Sequence, residues 1–196
     1  MQVAVIRYNA GNIRSLSFAL ERMGVPYVLT SDPAVIRSAD KVIFPGVGEA
    51  ASTMAHLKAT GLDDVIRGLN QPVLGICLGM QLLCRHSEEN NTQCLGIFDA
   101  EVKRIPATTG IKVPHMGWNT LEGVTDWLDP SLEGQSAYFV HSYHVQATLD
   151  TVAIANHGVR ISAAMRKGNY FAVQFHPEKS AAAGQLVIRS FLNAAL

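Results

Sequence analysis

Charge of either sign is in short supply. Lys and Arg number 16, Asp and Glu 16, so the formal net charge is zero and only 16% of the chain is charged. That balance disfavours nucleic acid and anionic membrane surfaces, which attract a basic excess. Cysteine is scarce as well. Cys77, Cys84 and Cys94 make an odd number with no CxxC pair, which points away from a disulfide framework and from a zinc site. No apolar run reaches the roughly 18 residues of a membrane span. Met1–Arg7 lacks the basic region and long apolar core of a secretory leader and reads as a first strand. Repeats, linkers and low-complexity tracts are missing too. The expectation is one domain over residues 1–196 in a reducing, cytoplasmic setting. A hydrophobic content of 48% supplies an interior at this length without staples.

What is present is an alternation. Val3–Ile6 is a short apolar run, and the turn Tyr8-Asn9-Ala10-Gly11-Asn12 leads into Ile13, Leu16, Ala19, Leu20 and Met23 at helical spacing, closed by Gly24. A weak strand near Tyr27–Leu29 follows, and Ser31-Asp32-Pro33 opens a short helix through its cap chemistry. Lys41–Phe44 reads as a strand ended by Pro45-Gly46-Val47-Gly48. Helices near Glu49–Lys58 and Leu62–Leu69, a strand at Val73–Ile76 and a helix at Leu78–Arg85 complete the first half. Strand and helix in alternation predict an α/β domain with a mostly parallel sheet covered on both faces. Beyond Glu101 the pattern changes to an antiparallel extension. Tyr138–Val145, Val152–Ala155, Ile161–Met165 and Tyr170–Phe175 read as strands joined by Gly/Asn turns, before a last helix at Ala181–Ala195.

One motif carries chemistry directly. Gly75-Ile76-Cys77-Leu78-Gly79 lies between a buried strand and a helix, a cysteine form of the elbow that lifts a nucleophile onto a sharp turn. A helix start favours a thiolate placed there, and the Leu78 N–H is positioned to meet an oxyanion. A merely structural cysteine in a strand-to-helix crossover stays open on this motif alone. Cys84 reads as core packing, and Cys94 sits in a polar stretch that carries no signal.

A thiol nucleophile needs a base, and the base needs an orienting group. The apolar strand Phe171-Ala172-Val173-Gln174-Phe175 delivers His176 to a sheet end, and Glu178 two residues on suits an imidazole–carboxylate pair. A metal site from His141, His144 and His176 is disfavoured, because the spacing of the first two sets them on opposite faces of a strand.

These motifs together resemble the class I, triad-type glutamine amidotransferases. The resemblance spans nearly the whole chain and rests on three motifs in the family's order: Pro45-Gly46-Val47-Gly48, Gly75-Ile76-Cys77-Leu78-Gly79-Met80-Gln81 and Phe175-His176-Pro177-Glu178. Gly11-Asn12, Met116-Gly117-Trp118-Asn119 and Phe139-Val140-His141-Ser142-Tyr143 sharpen it toward the glutaminase subunits of histidine biosynthesis. The resemblance implies a flavodoxin-like three-layer fold and no cofactor or metal. It implies that Cys77 attacks the side-chain amide of glutamine, with His176 as base and Glu178 as its orienter. Leu78 and the Val47-Gly48 segment would supply oxyanion N–H groups, Gln81 and Glu89 would contact substrate, and the Ser142-Tyr143 backbone would cradle its carboxylate. Between Glu88 and Glu89 the assignment favours the second.

The family also implies a partner, a (β/α)-barrel cyclase that consumes the ammonia and forms imidazole glycerol phosphate. Asn12, Met116, Trp118, Tyr138 and Lys179 are the candidate contacts, although ordinary core is an equal reading for Trp118. Three rivals remain at this stage. The ammonia serves another synthase (anthranilate, guanylate or pyridoxal phosphate), or the chain is a freestanding γ-glutamyl cysteine hydrolase, or it is an inactive scaffold.

Overall fold

The computed structural model of the chain describes residues 1–8, 13–107 and 110–194. In chain order its regular elements are β1 (Val3–Ile6), α1 (Ile13–Arg22), β2 (Tyr27–Thr30), α2 (Pro33–Ser38), β3 (Lys41–Gly46), α3 (Ala50–Thr60), α4 (Leu62–Arg67), β4 (Val73–Cys77) and α5 (Leu78–Leu83). Then come β5 (His86–Ser87), β6 (Thr92–Gln93), β7 (Glu101–Arg104), β8 (His115–Thr120), β9 (Ser136–His141) and β10 (Tyr143–Val145). The chain closes with β11 (Thr151–Asn156), β12 (Arg160–Lys167), β13 (Tyr170–Val173) and α6 (Ala181–Asn193).

Local chemistry explains the helix ends. The Asp32 carboxylate accepts from the Ala34 N–H at 2.8 Å with Pro33 in the first turn, the cap that the sequence announces. Glu49 does the same for α3, accepting from the Ala51 and Ser52 N–H groups. Those bonds, with Ser52 first among them, hold its carboxyl down at about 2.

The main sheet runs β11-β12-β13-β4-β3-β1-β2. Its five strands from β13 to β2 are parallel, while β12 and β11 pair antiparallel at the edge. Alternation along each central strand divides the core into two layers. Ala4, Ile6, Val42, Phe44 and Ala172 pack with α3, α4 and α5 on one face. Val3, Val5, Ile43, Leu74, Ile76, Phe171 and Val173 pack with α1 and α6 on the other. This is the expected α/β architecture with an antiparallel extension.

The second half departs from expectation in detail. The predicted strand Tyr138–Val145 breaks at Ser142 into β9 and β10, which join different sheets: β9 pairs β8, and β10 pairs β7 in a four-stranded sheet β10-β7-β5-β6. Cys94 is no surface loop residue. It is buried in the core, and burial pushes its thiol up to about 12.

Candidate active site

Adjacent strands bring the key side chains together. β4 and β13 lie side by side and parallel, with Ile76 opposite Val173. The residue after Ile76 is Cys77, and three residues beyond Val173 comes His176, so both emerge at the carboxyl edge of the sheet, where α/β folds hold their ligands. Next to them β3 ends with Gly46 opposite Cys77. Three remote segments therefore meet at one sheet edge.

Cys77 sits on a bend of φ 52° and ψ −109°, a backbone that L-residues rarely adopt. Such a conformation costs about 1–3 kcal/mol and persists only where the surroundings dictate it. They do so here by close approach: a Cβ on Gly79 would lie 2.0 Å from the Phe44 carbonyl oxygen. The glycine lets α5 start hard against β3. Gly48, at φ 125°, holds a backbone open to glycine almost alone.

His176 is 2% exposed, and its Nδ1–H donates to Glu178 Oε1 at 2.8 Å. The Glu178 side chain is itself only 7% exposed. The second ring nitrogen, Nε2, is buried and lies beyond full hydrogen-bonding reach of any described protein group. It is still near enough to Cys77 for the sulfur to raise its basicity. Burial pushes the imidazole down, but Cys77 and Glu178 together override it and hold the ring protonated to about 10. The turn that carries the pair is tied down by backbone: the His176 N–H donates to the Tyr138 carbonyl at 2.9 Å, and the Ser180 hydroxyl donates to the His176 carbonyl at 2.7 Å.

A cavity of about 320 Å³ opens above Cys77 and His176. All seven residues expected around the substrate line it: Val47, Gly48, Leu78, Gln81, Glu89, Ser142 and Tyr143. Glu89 is half-buried; burial raises its carboxyl pKa although the Ala50 N–H donates to it at 2.8 Å. Glu88 instead accepts from the Arg104 N–H and pairs with Lys103 at 3.2 Å, which settles which acid faces the cavity.

Sequence reasoning missed a second tier. Gln174 is fully buried, and its Nε2 lies 3.8 Å from Cys77 Sγ. Gln81 Nε2 donates to the Gln174 Oε1 at 3.1 Å and to the Tyr143 carbonyl at 2.8 Å. The Gln81 amide nitrogen is thus engaged within the protein, and what it orients is the Gln174 N–H₂ toward the sulfur. The one trace of it in the sequence is a glutamine amid an apolar strand, which does not by itself reveal depth or partners. Pro114 and Val140, which were not singled out as site residues, also line the cavity, as does His141, weighed only as a disfavoured metal ligand.

The expected partner contacts fall elsewhere. On β8, Met116 and Trp118 are 63% and 56% exposed, so Trp118 is not core. Trp118 meets the Tyr138 ring edge-on at 6.0 Å, and the exposed Lys179 holds its ammonium 5.9 Å from that ring. Asn12 lies outside the described residues. Among the described residues no group of histidines, cysteines and acids is arranged to hold a metal ion, and no helix is long and apolar enough to cross a membrane.

Known proteins resemble the chain closely. The family model "Glutamine amidotransferase class-I" matches residues 8–194. The "Imidazole glycerol phosphate synthase subunit HisH" of Bacteroides thetaiotaomicron is 55% identical over 195 residues, covering 98% of this chain and 100% of that protein. Its namesake from Idiomarina loihiensis is 43% identical over 196 residues and the full length of both. Among solved structures, a glutamine amidotransferase superposes with TM-score 0.72 at 22% identity, covering 97% of this chain and 96% of that one. Another, from Thermotoga maritima, gives 0.65 at 18% over 98% and 83%. These two speak for the fold. With a family model across almost its entire length and full-length relatives far above chance identity, this chain belongs to the class I glutamine amidotransferases.

Proposed function

We propose that the chain is the glutaminase subunit of an imidazole glycerol phosphate synthase, acting in histidine biosynthesis. Cys77 Sγ attacks the side-chain amide carbon of glutamine, and the imidazolium of His176 gives its proton to the departing ammonia. The glutamyl thioester left behind is opened by water, with neutral His176 now the base, and glutamate departs. Glu178 accepts from the Nδ1–H throughout, so the proton that moves is the one on Nε2. The N–H groups of Leu78 and of the Val47-Gly48 segment take the oxyanion, Glu89 takes the substrate ammonium, and the Ser142-Tyr143 backbone takes its carboxylate.

The observation that carries this reading is the meeting of Cys77 and His176 in one cavity, with Glu178 bound to the imidazole at 2.8 Å. The full-length identity to a named synthase subunit supports the pathway. The ammonia passes to a (β/α)-barrel cyclase, which docks on the face formed by Met116, Trp118, Tyr138 and Lys179. A peptide between two glycines turns over at low cost, so the Val47 N–H is brought into line by the liganded partner, and the chain alone is a poor glutaminase. The assay is glutamate release from glutamine by the purified chain, with and without the barrel cyclase and its ligand. Release should need the partner and vanish in Cys77→Ala. No release in the full mixture sinks the reading, and full turnover without the partner sinks its activation.

A further inference from the structure

From the cavity-lining His141 a row of polar groups that the proposed chemistry leaves unused runs back through buried His115 to half-buried Asn119. His115 and His141, 4% and 6% exposed, face each other across the β8–β9 pair, with Nδ1 of the first 3.0 Å from Nε2 of the second. The direction of every bond in the row follows from its ends. The Asn119 Oδ1 accepts from the Thr120 N–H at 2.8 Å, and its Nδ2 donates to the Asn156 carbonyl at 2.9 Å. Backbone N–H groups only donate and carbonyls only accept, so this amide has one possible orientation. Its nitrogen therefore donates to His115 Nε2 at 3.2 Å. His115 must carry its proton on Nδ1 and donate to His141 Nε2. His141 in turn carries its proton on Nδ1 and donates to the Tyr143 carbonyl at 2.7 Å.

We infer that His115 and Asn119 are positioning residues of the glutamine site, forming a one-way relay through His141 that fixes the Tyr143 carbonyl and hence the backbone that receives the substrate's carboxylate. The inference rests on the glutaminase reading above and deepens it. Two further features fit. The Tyr143 carbonyl also accepts from Gln81 Nε2, and the Ser142 carbonyl accepts from the Ile105 N–H at 2.9 Å. Carbonyl and N–H of a trans peptide point opposite ways, so tying the Ser142 carbonyl sets the direction of the Tyr143 N–H, and tying the Tyr143 carbonyl holds the peptide that follows it, on the side away from β7. The rings are also clamped as neutral imidazoles. His115 is stacked between Phe139 and His157, at 4.9 Å and 4.0 Å. Burial, then the neighbouring His157, lowers it to about 4. Burial likewise lowers His141 to about 3, with His115, His144 and His157 adding to it against the bond to Tyr143.

Nitrogen-15 spectra of the histidine-labelled chain bound to its cyclase test the relay without turnover. Both rings should be neutral and protonated at Nδ1, the minority tautomer of free histidine. An imidazolium, or an Nε2–H tautomer at His141, overturns the proposal. Kinetics of the same complex test the function. His115→Phe keeps the stacking but cannot donate, and should raise KM for glutamine about tenfold, the worth of one such hydrogen bond, with kcat within about threefold. His115→Gln, whose amide donates, should restore most of the loss. Iodoacetamide, which has no carboxylate to cradle, should alkylate Cys77 at the wild-type rate in each variant. An unchanged KM in folded His115→Phe, or a fall in kcat with slowed alkylation, overturns the role. If that variant does not fold, the wild-type tautomers decide. A wild-type complex with no glutaminase activity brings down the parent reading and this one together, and that result is distinguishable because it appears before any substitution is made.

Discussion

In the proposed cycle, a histidine that keeps its proton to about pH 10 enters as an acid, ready to protonate the leaving ammonia. Its folded-state value lies above the ordinary 6.5, so its contribution to stability is complete below about pH 6.5 and is lost as pH rises through about 10. Glu178→Gln removes one of the two groups that raise it, with Cys77 the larger. The His176 titration followed by NMR should move to lower pH, and the alkaline loss of thermal stability should begin earlier. An unmoved titration would mean that the carboxylate does not tune the ring. Gln174 offers a separate lever. Gln174→Leu fills nearly the same space but takes away the N–H₂ 3.8 Å from the sulfur, and a hydrogen bond to a charged group is worth about 1.5–3 kcal/mol. Glutaminase kcat in the presence of the cyclase should fall roughly 10- to 100-fold, and iodoacetamide should label Cys77 more slowly. Equal labelling rates would assign Gln174 to packing.

At the scale of elements, α6 bears directly on the site. A Cβ on Gly184 would lie 1.8 Å from the carbonyl oxygen of Pro177, the residue between His176 and Glu178. Gly184→Ala must push the helix away from that turn. Overpacking of this kind costs about 1–3 kcal/mol, and a lowered melting temperature should come with a loss of kcat larger than the loss of folded protein explains. The same elements indicate what was legible in advance. β1, α1 and the Asp32 cap followed from apolar spacing and cap chemistry, because each buries one face or satisfies its own end locally. The cysteine elbow was legible because its glycines answer steric demands made by neighbouring strands. Two-residue strands such as β5 and β6 carry no periodicity to read. The break at Ser142 was hidden because both flanks have strand-like composition and only long-range pairing separates them. Gln174, His115 and the burial of Cys94 were hidden for a related reason: a polar or isolated side chain reveals its depth only when the partners that satisfy it are known.

Over the whole molecule, the two core layers share the strands β1, β3, β4 and β13, alternate residues of each strand feeding opposite faces. Neither layer survives loss of the sheet, so the chain should unfold as one domain, with calorimetric and van't Hoff enthalpies equal; a resolved second transition would separate the β8–β9 region from the sheet. That region also links the outside to the chemistry. Lys179 directly follows Glu178 in the turn that carries the His176–Glu178 pair and sits above the Tyr138 ring. The Tyr138 backbone holds the turn from both ends, its carbonyl accepting from the His176 N–H and its own N–H donating to the Ser180 hydroxyl at 2.9 Å. A cyclase seated on Trp118, Tyr138 and Lys179 therefore presses on the same turn that aims the imidazole. Lys179→Glu reverses the charge at that seat. Titration calorimetry with the cyclase should show Kd raised about tenfold or more, an effect weakened by salt as befits an exposed ion pair. Partner-stimulated glutamine hydrolysis at fixed subunit concentration should fall in step with the fraction bound. Wild-type affinity in the variant would move the docking face away from Lys179, and the path from partner to triad would then have to enter through the 46–48 segment alone.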